Sequence, residues 1–420
     1  MDDIFSGRVA ILGLGYIGLP TAAVLATRGI EVIGVDVNAA TVEAVSRGEV
    51  PFVEPDLGVA VSGAVSQGNL SATSEVPEAD AFIIAVPTPF MDEHRADLHY
   101  IRAAVESIAP RLRGGEVVIL ESTSPPGTTV QVSRWLAELR PDLTLPHCSE
   151  GVPDVYVAHC PERVLPGRIM IEMVTNDRVV GGISPRCAEK AAAVYRVFTH
   201  GKVLLSDAAS AEMAKLVENA YRDVNIAFAN ELALVSETLQ LDVWEIIKLA
   251  NHHPRVNVLT PGPGVGGHCI AVDPWFIVGA APDQARLMRA SREINDAKPI
   301  HVAEQIVAKT ARFKEPTVAC LGLAYKANVD DLRESPAVDI VLDIAKSLPE
   351  LDIRVAEPLI TALPASFDAF PHVVHQSAVE AIEAADIVVL LVDHDHFRSL
   401  SRSRLEGKIV YDTCGLWRRS

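Results

Sequence analysis

Basic residues are scarce in this chain. Its 420 residues hold 37 Lys and Arg against 55 Asp and Glu, a formal net charge of -18. A general nucleic-acid binder presents a basic face, so no nucleic-acid partner is expected. A small anion held by a few local cations remains compatible with this balance. Cysteine is also sparse, with six residues at positions 148, 160, 187, 269, 320 and 414, no C-x-x-C pair and no zinc-ligand spacing. We therefore expect no metal site, no disulfide framework and a reducing, cytoplasmic compartment. Long apolar runs are limited to Val9–Thr27, 19 uncharged residues. That length suffices for a bilayer span, but Gly13, Gly15, Gly18 and Pro20 break it into a strand, a turn and a helix start. Asp2 and Asp3 stand before it in place of the basic region of an export signal. It reads as buried structure, with no membrane partner.

Glycine and proline are missing altogether from Lys202 through His253. Within that stretch Ala208–Gln240 reads as one helix about 45–50 Å long at about 1.5 Å per residue. Such a helix can link two domains and pair with a partner subunit, or lie buried between domains. With hydrophobic residues at 49% the chain should fold compactly, and its length implies about two or three domains. Arg8–Leu12, Glu31–Asp36, Ala81–Val86 and Val117–Glu121 read as strands separated by helices, the pattern of a parallel sheet. The pattern returns at Thr317–Gly322, Asp352–Ala356, Asp386–Val392 and Lys408–Tyr411. Glu78–Val86 and Ala384–Val392 both enter an apolar run from an Ala-Asp pair. Together these predict an α/β fold of two Rossmann-like halves, with a loop over Asp142–Asp154.

Gly13-Leu14-Gly15-Tyr16-Ile17-Gly18 follows the first strand and opens a helix. Gly13 permits a tight turn, Gly15 lets a pyrophosphate approach the backbone, and Gly18 lets helix and strand pack closely. N–H groups at the helix start then face phosphate. Asp36 ends the next strand, placed to accept a hydrogen bond from an adenosine ribose and to repel a 2′-phosphate, so NAD is expected over NADP. A second notable segment is Pro261-Gly-Pro-Gly-Val-Gly-Gly-His-Cys-Ile-Ala-Val-Asp273. Glycine allows close backbone approach to a ligand and proline stiffens the loop, which makes Cys269 a candidate nucleophile. The other five cysteines read as small buried hydrophobes.

Six motifs stand in order: Val86-Pro-Thr-Pro89, Glu121-Ser-Thr-Ser-Pro-Pro-Gly-Thr128, Cys160-Pro-Glu-Arg-Val-Leu-Pro-Gly167, Glu212-Met-Ala-Lys-Leu-Val-Glu-Asn219, the Cys269 loop, and Gly322-Leu-Ala-Tyr-Lys-Ala-Asn-Val-Asp-Asp-Leu-Arg-Glu-Ser-Pro336. From about residue 8 to the C-terminus the chain resembles the UDP-glucose/GDP-mannose dehydrogenase superfamily of UDP-sugar 6-dehydrogenases. The resemblance implies an NAD-binding domain over 1–205 and a central helical dimerisation region with the cysteine loop over 206–300. It implies a UDP-sugar-binding domain over 301–420, and a homodimer formed through the long helix. It also implies oxidation of a sugar C6 hydroxyl to a carboxylate with two NAD. The segments Asn176–Gly182, Arg222–Leu232 and Gly266–Phe276 resemble the branch acting on UDP-N-acetyl-D-mannosamine. UDP-glucose enzymes usually carry Ser at the place of His268 and Lys at that of Val272.

Roles follow from the same resemblance. Cys269 is the nucleophile, and Lys215 stabilises the thiohemiacetal oxyanion and handles a proton. Asn219, one turn on, adds a neutral donor. Asp273 positions a water and the lysine, although a helix cap would serve that position equally. Glu162 acts as base for thioester hydrolysis. Thr123 lies near the nicotinamide or the reacting carbon and Thr88 along the cofactor, with Tyr16, Ile17 and Arg333 completing the NAD set. Arg163, Leu165, Arg255, Asn257, Gly264 and Lys326 are expected along the UDP-sugar, with Arg255 reaching a neighbouring subunit. Two other classes remain open at this point. One is a β-hydroxyacid dehydrogenase, which makes a single hydride transfer without a thiol. The other is a non-catalytic nucleotide-binding regulator.

Overall fold

The structure is a computed structural model and describes residues 5–52, 54–89, 91, 96–148, 151–165, 167–267 and 269–417. His268, singled out above, lies outside the described residues. The chain forms two compact units, Met1–Glu218 and Asn219–Ser420.

The first unit is built on strands β1 (Val9–Leu12), β2 (Val32–Val35), β3 (Leu70–Thr73), β4 (Ala81–Ile84), β5 (Val117–Leu120), β6 (Tyr156–His159), β7 (Arg178–Gly182) and β8 (Val203–Asp207). They form one sheet in the order β3-β2-β1-β4-β5-β6-β7-β8. Every pairing is parallel except β6 with β7. Parallel strands need cover on both faces. Side chains alternate along a strand, so Val9, Ile11, Ile83 and Ile119 pack with the helix Gly18–Thr27 on one face. Ala10, Leu12, Phe82, Ile84, Val118 and Leu120 pack on the other, with the helices His99–Ile108 and Thr128–Leu139. The order reverses between β1 and β4, the switch point where doubly wound sheets bind ligands.

The second unit carries β9 (Thr317–Leu321), β10 (Asp352–Ala356), β11 (Val373–His375), β12 (Ile387–Leu390) and β13 (Ile409–Asp412). They are parallel throughout, in the order β11-β10-β9-β12-β13. That repeats β3-β2-β1-β4-β5. The Ala-Asp echo seen in the sequence is a shared device. Before β4, Asp80 Oδ2 accepts from Arg8 N at 2.7 Å; before β12, Asp386 Oδ2 accepts from Thr317 N at 3.0 Å. Each carboxylate pins the start of the first strand of its half. Gly13 and Gly322 end those first strands at φ 97° and 94°, in the left-handed region that favours glycine. A Cβ on Gly13 would also strike the Ala85 carbonyl, and one on Gly322 would lie 2.5 Å from Val392 Cβ.

The long helix runs Ala208–Thr238, 31 residues. It ends two residues short of the expected Gln240, which takes a left-handed φ of 57°. The described parts of 142–154 contain neither helix nor strand. A further helix, Arg286–Thr310, bears on the long one through a buried polar network in the second unit. Arg292 Nη1 donates to Asp223 Oδ1 at 2.6 Å, and Asn295 donates to Asp223 Oδ1 at 2.8 Å. Asn230 donates to Asn295 at 2.9 Å and accepts from Gly262 N at 2.9 Å, which ties the start of the cysteine loop to the helix pair.

Candidate functional site

In the first unit the glycine turn follows β1 as the sequence predicts. Gly13 N donates to Val35 O at 2.8 Å. A Cβ added to Gly18 would collide with the Gly13 carbonyl, whereas one on Gly15 would meet nothing within 4 Å. The helix Gly18–Thr27 begins after Ile17 with no acidic residue in its first turn, so its N-terminus keeps its attraction for anions. Tyr16, partly exposed, stacks on Phe52 with ring centroids 4.2 Å apart. Half-buried Asp36 accepts from Leu14 N through one carboxylate oxygen and from Asn38 N through the other, each at 2.8 Å. These features suit a dinucleotide: a tight turn, an open glycine, donors at a helix start and an acidic residue at the next strand end.

Across the switch point, Thr88 Oγ1 donates to Thr123 O at 2.7 Å, so the two expected cofactor threonines are joined. The loop bearing Thr123 leads into the helix Thr128–Leu139. Buried Glu212 accepts from Gly127 N, Thr129 N and Thr129 Oγ1, each at 2.6 Å, and so caps that helix from the start of the long one. Burial pushes the Glu212 carboxyl up despite those bonds.

Glu162 does not stand in an open position. It is 8% exposed, accepts from Arg163 N at 2.7 Å and pairs through Oε2 with Arg178 Nη2 at 2.9 Å. Arg178 is 4% exposed and also stands 4.0 Å from Glu121. Its guanidinium lies over the rings of Tyr195 and Phe198, 5.0 Å from each centroid. Burial, with the Glu162 charge nearby, pushes the Glu121 carboxyl up to about 8, so it is neutral at pH 7. Thr21 and Tyr195 donate to it at 3.2 and 3.3 Å. The sequence reading treated Glu121 as a strand end and Arg178 as part of a motif. Only the packing of three strand ends shows that one buried guanidinium serves two acids. Arg163 donates to Glu218 at 2.6 Å and to the Asp177 carbonyl, so its expected substrate role competes with two protein partners. Leu165 is 47% exposed, and its N–H donates to Glu172 at 2.9 Å.

In the second unit Cys269 is exposed. Its carbonyl accepts from Asp273 N at 2.9 Å, one turn before the helix Asp273–Ala280. Asp273 is buried and its Oδ2 accepts from Asn219 Nδ2 at 2.5 Å. The alternative reading of Asp273 as a helix cap does not hold: the cap position is Val272, with no side-chain cap bond, and Asp273 is the first helical residue. Lys215 lies one turn before Asn219 on the long helix.

The glycines of the cysteine loop have a purpose the sequence did not reveal. A Cβ on Gly266 would sit 2.5 Å from Glu334 O and 2.7 Å from Pro336 Cδ, and one on Gly264 2.8 Å from Pro336. Gly267 faces the Tyr325 ring, and its N–H donates to Glu334 O at 3.3 Å. These residues are small because the loop lies against 325–336, so the close approach is to protein. Lys326 is exposed on that same loop. Arg333 is exposed too and forks onto Asp331 at 2.9 and 2.6 Å. Arg255 and Asn257 are exposed in a turn closed by Asn251, which donates to Val258 O at 3.0 Å and accepts from Val258 N at 2.7 Å. The expected burial of the remaining cysteines holds for 160, 187, 320 and 414 but not for Cys148, which is exposed with Sγ 3.2 Å from His147 Nε2. Its place in a polar loop leaves it without apolar cover.

Comparison with known proteins agrees with this layout. The chain matches the NAD binding, central and UDP binding domains of the UDP-glucose/GDP-mannose dehydrogenase family over residues 7–199, 209–297 and 319–419. It is 54% identical over 415 residues to an NDP-N-acetyl-D-galactosaminuronic acid dehydrogenase of Ralstonia nicotianae, covering 99% of this chain and 97% of that one. It is 51% identical over 418 residues to the UDP-N-acetyl-D-mannosamine dehydrogenase of Salmonella typhi, covering 98% and 99%. Among solved structures it is similar to a UDP-D-ManNAc dehydrogenase from Pyrococcus horikoshii, with a TM-score of 0.85 at 38% identity over 97% of this chain and 96% of that one. With a nucleotide fingerprint in one unit, a thiol at a helix start in the other and three family domains matched in order, this chain belongs to the UDP-glucose/GDP-mannose dehydrogenase family and is an NAD-dependent UDP-sugar dehydrogenase.

Proposed function

We propose that this enzyme oxidises C6 of UDP-N-acetyl-D-mannosamine to the carboxylate, giving UDP-N-acetyl-D-mannosaminuronate through a thiohemiacetal and a thioester on Cys269. The observation that carries the reading is the exposed Cys269 thiol ahead of a helix N-terminus, with buried Asp273 hydrogen-bonded by Asn219 behind it. Gly13, Gly15, Tyr16, Ile17, Gly18, Asp36, Thr88, Thr123 and Arg333 would hold NAD, which when bound accepts a hydride in each of two oxidations.

The residues divide the remaining work. Lys215 takes the C6 hydroxyl proton as the alcohol becomes an aldehyde. The Cys269 thiolate adds to the aldehyde carbon, and Lys215 with Asn219 stabilises the oxyanion that forms. A second oxidation gives the thioester. Glu162, paired with Arg178, accepts a proton from water as that water attacks, and the carbon–sulfur bond breaks to release the carboxylate and Cys269. One alcohol, one water and two NAD+ would thus give one carboxylate, two NADH and three protons. Arg163, Leu165, Arg255, Asn257, Gly264 and Lys326 are assigned to the UDP-sugar.

The protein acts as a homodimer in this reading. The long helix supports it: Val217, Tyr221, Phe228 and Val235 are 43%, 71%, 56% and 47% exposed, at the four- and seven-residue spacings of a helix–helix seam. A second copy of the same helix is the partner that such a stripe fits. Reliance on a reduced nucleophile fits a cytoplasmic setting.

A second reading keeps the chemistry and changes the sugar. It is favoured by the 54% identity to the relative whose name refers to N-acetyl-D-galactosaminuronic acid. Product mass and NADH stoichiometry measured across UDP-N-acetylmannosamine, UDP-N-acetylgalactosamine, UDP-N-acetylglucosamine and UDP-glucose decide among them. Two NADH per sugar and a kcat/KM at least tenfold higher for the mannosamine sugar support the proposal. Comparable efficiency on all four would sink its specificity, and a ratio of one NADH would sink its mechanism.

A further inference from the structure

The two units share a strand order, yet their acidic residues after the second strand are engaged differently. Asp36 is half-buried and accepts two backbone N–H bonds. Glu357, its counterpart after β10, is 2% exposed. Its Oε2 accepts from Leu323 N at 2.7 Å, Ala324 N at 3.1 Å and His394 Nε2 at 3.1 Å, and its Oε1 from Leu359 N at 3.1 Å. Burial pushes this carboxyl up, but the bonds from His394 and the loop N–H groups outweigh it and hold the carboxyl below its ordinary value.

His394 follows β12 and is 1% exposed. Its Nδ1 accepts from Asn328 N at 2.9 Å, so Nδ1 carries a lone pair and Nε2 the proton it donates to Glu357. Asn328 takes a left-handed φ of 61°. Its side chain completes a reciprocal pair with Asp395, donating to Oδ2 at 2.9 Å and accepting from Asp395 N at 3.0 Å. The turn after β12 therefore grips the loop after β9 at one residue, close to Lys326. The cysteine loop rests on the same segment through Gly266 and Gly267.

We infer that His394 is a positioning residue for nucleotide-sugar binding: by joining Glu357 to Asn328 it holds the loop 322–335 in its binding shape before the ligand arrives. A loop ordered in advance leaves less entropy to be lost on binding. The inference rests on the reading of Lys326 as a contact to the UDP-sugar.

Two measurements on the full-length protein test it. The first is hydrogen exchange without ligand. His394→Leu and Asn328→Gly should each speed exchange across 322–336, whereas His394→Gln should not, because its amide can accept from Asn328 N and donate to Glu357. Asn328→Gly keeps the left-handed backbone accessible and leaves the core intact. The second is calorimetric titration with UDP. His394→Leu should weaken binding about tenfold and Asn328→Gly several-fold, with Gln near wild type. In turnover, KM for the UDP-sugar should rise accordingly while kcat stays within about threefold. Wild-type exchange across 322–336 in both His394→Leu and Asn328→Gly would overturn the latch, as would failure of Gln to rescue. Faster exchange with UDP affinity unchanged would overturn its link to the ligand. A wild-type protein that does not bind UDP would overturn the reading of Lys326 instead, with the exchange result still deciding the latch.

Discussion

Replacing Arg178 by Met tests how the buried acids of the first unit are held. The guanidinium is the shared cation of Glu162, at 2.9 Å, and Glu121, at 4.0 Å, and all three groups are buried. Met fills a similar length, so the variant removes charge more than volume. At pH 7 Glu121, pushed up to about 8, is already neutral. The uncompensated charge is therefore Glu162 alone. Removing one member of a buried pair costs about 3–5 kcal/mol. Met preserves the apolar packing on Tyr195 and Phe198, so the lower end, about 3 kcal/mol, is expected. For a unit of this size each kcal/mol moves Tm by about 2–4 °C, which gives a fall of about 6–12 °C. Calorimetry at pH 7 on wild type, the single variant and the double variant with Glu162→Gln is the assay. Adding Glu162→Gln should recover most of the deficit, because the carboxylate left without its guanidinium is then gone. A fall of less than about 2 °C, or an equal fall in the single and double variants, would refute the argument that an unpaired carboxylate is the cause.

Other expectations follow from the same geometry. Cys269→Ala should abolish acid formation while NAD affinity, measured by fluorescence quenching, stays within about twofold, because the fingerprint lies in the other unit. Gly266→Ala should cost about 1–3 kcal/mol and at least tenfold in kcat/KM, since its Cβ would lie 2.5 Å from Glu334 O; wild-type kinetics in that variant would show the loop contact to be unimportant. Glu121→Gln should flatten the stability–pH curve. The Glu121 carboxyl is raised from 4.5 to about 8 in the fold, so its stabilising contribution is complete below about 4.5 and lost as pH rises towards 8. Tm measured from pH 5 to 8 should therefore fall more steeply for wild type than for the variant.

Part of the candidate site was legible because some of its geometry is local. Gly13 and Gly18 must be glycine for reasons contained in one turn, and Asp36 follows at the end of the next strand. Lys215 and Asn219 share a helix face by spacing alone. The strands β1, β2, β4, β5, β9, β10, β12 and β13 announce themselves as apolar runs. Others do not. β3 reads Leu-Ser-Ala-Thr and β8 lies inside the stretch that lacks glycine and proline; both are edge strands, with little burial to impose an apolar pattern.

The two Rossmann-like halves, the long helix and the thiol can be read from residue order, because each rests on backbone periodicity or on a residue type that no other can replace. Tertiary structure alone decided what surrounds them. Arg178 is distant in sequence from Glu121 and Glu162, and it comes beside both only where β5 and β6 end next to the start of β7. The glycines before Cys269 could have been cleared for a ligand or for a neighbouring loop, and packing against Tyr325, Glu334 and Pro336 chose the loop. Glu357 occupies the place of Asp36 in a matching topology, yet His394 and the loop N–H groups take its carboxylate. Which partner a side chain meets depends on what the fold brings beside it, and no local pattern records that.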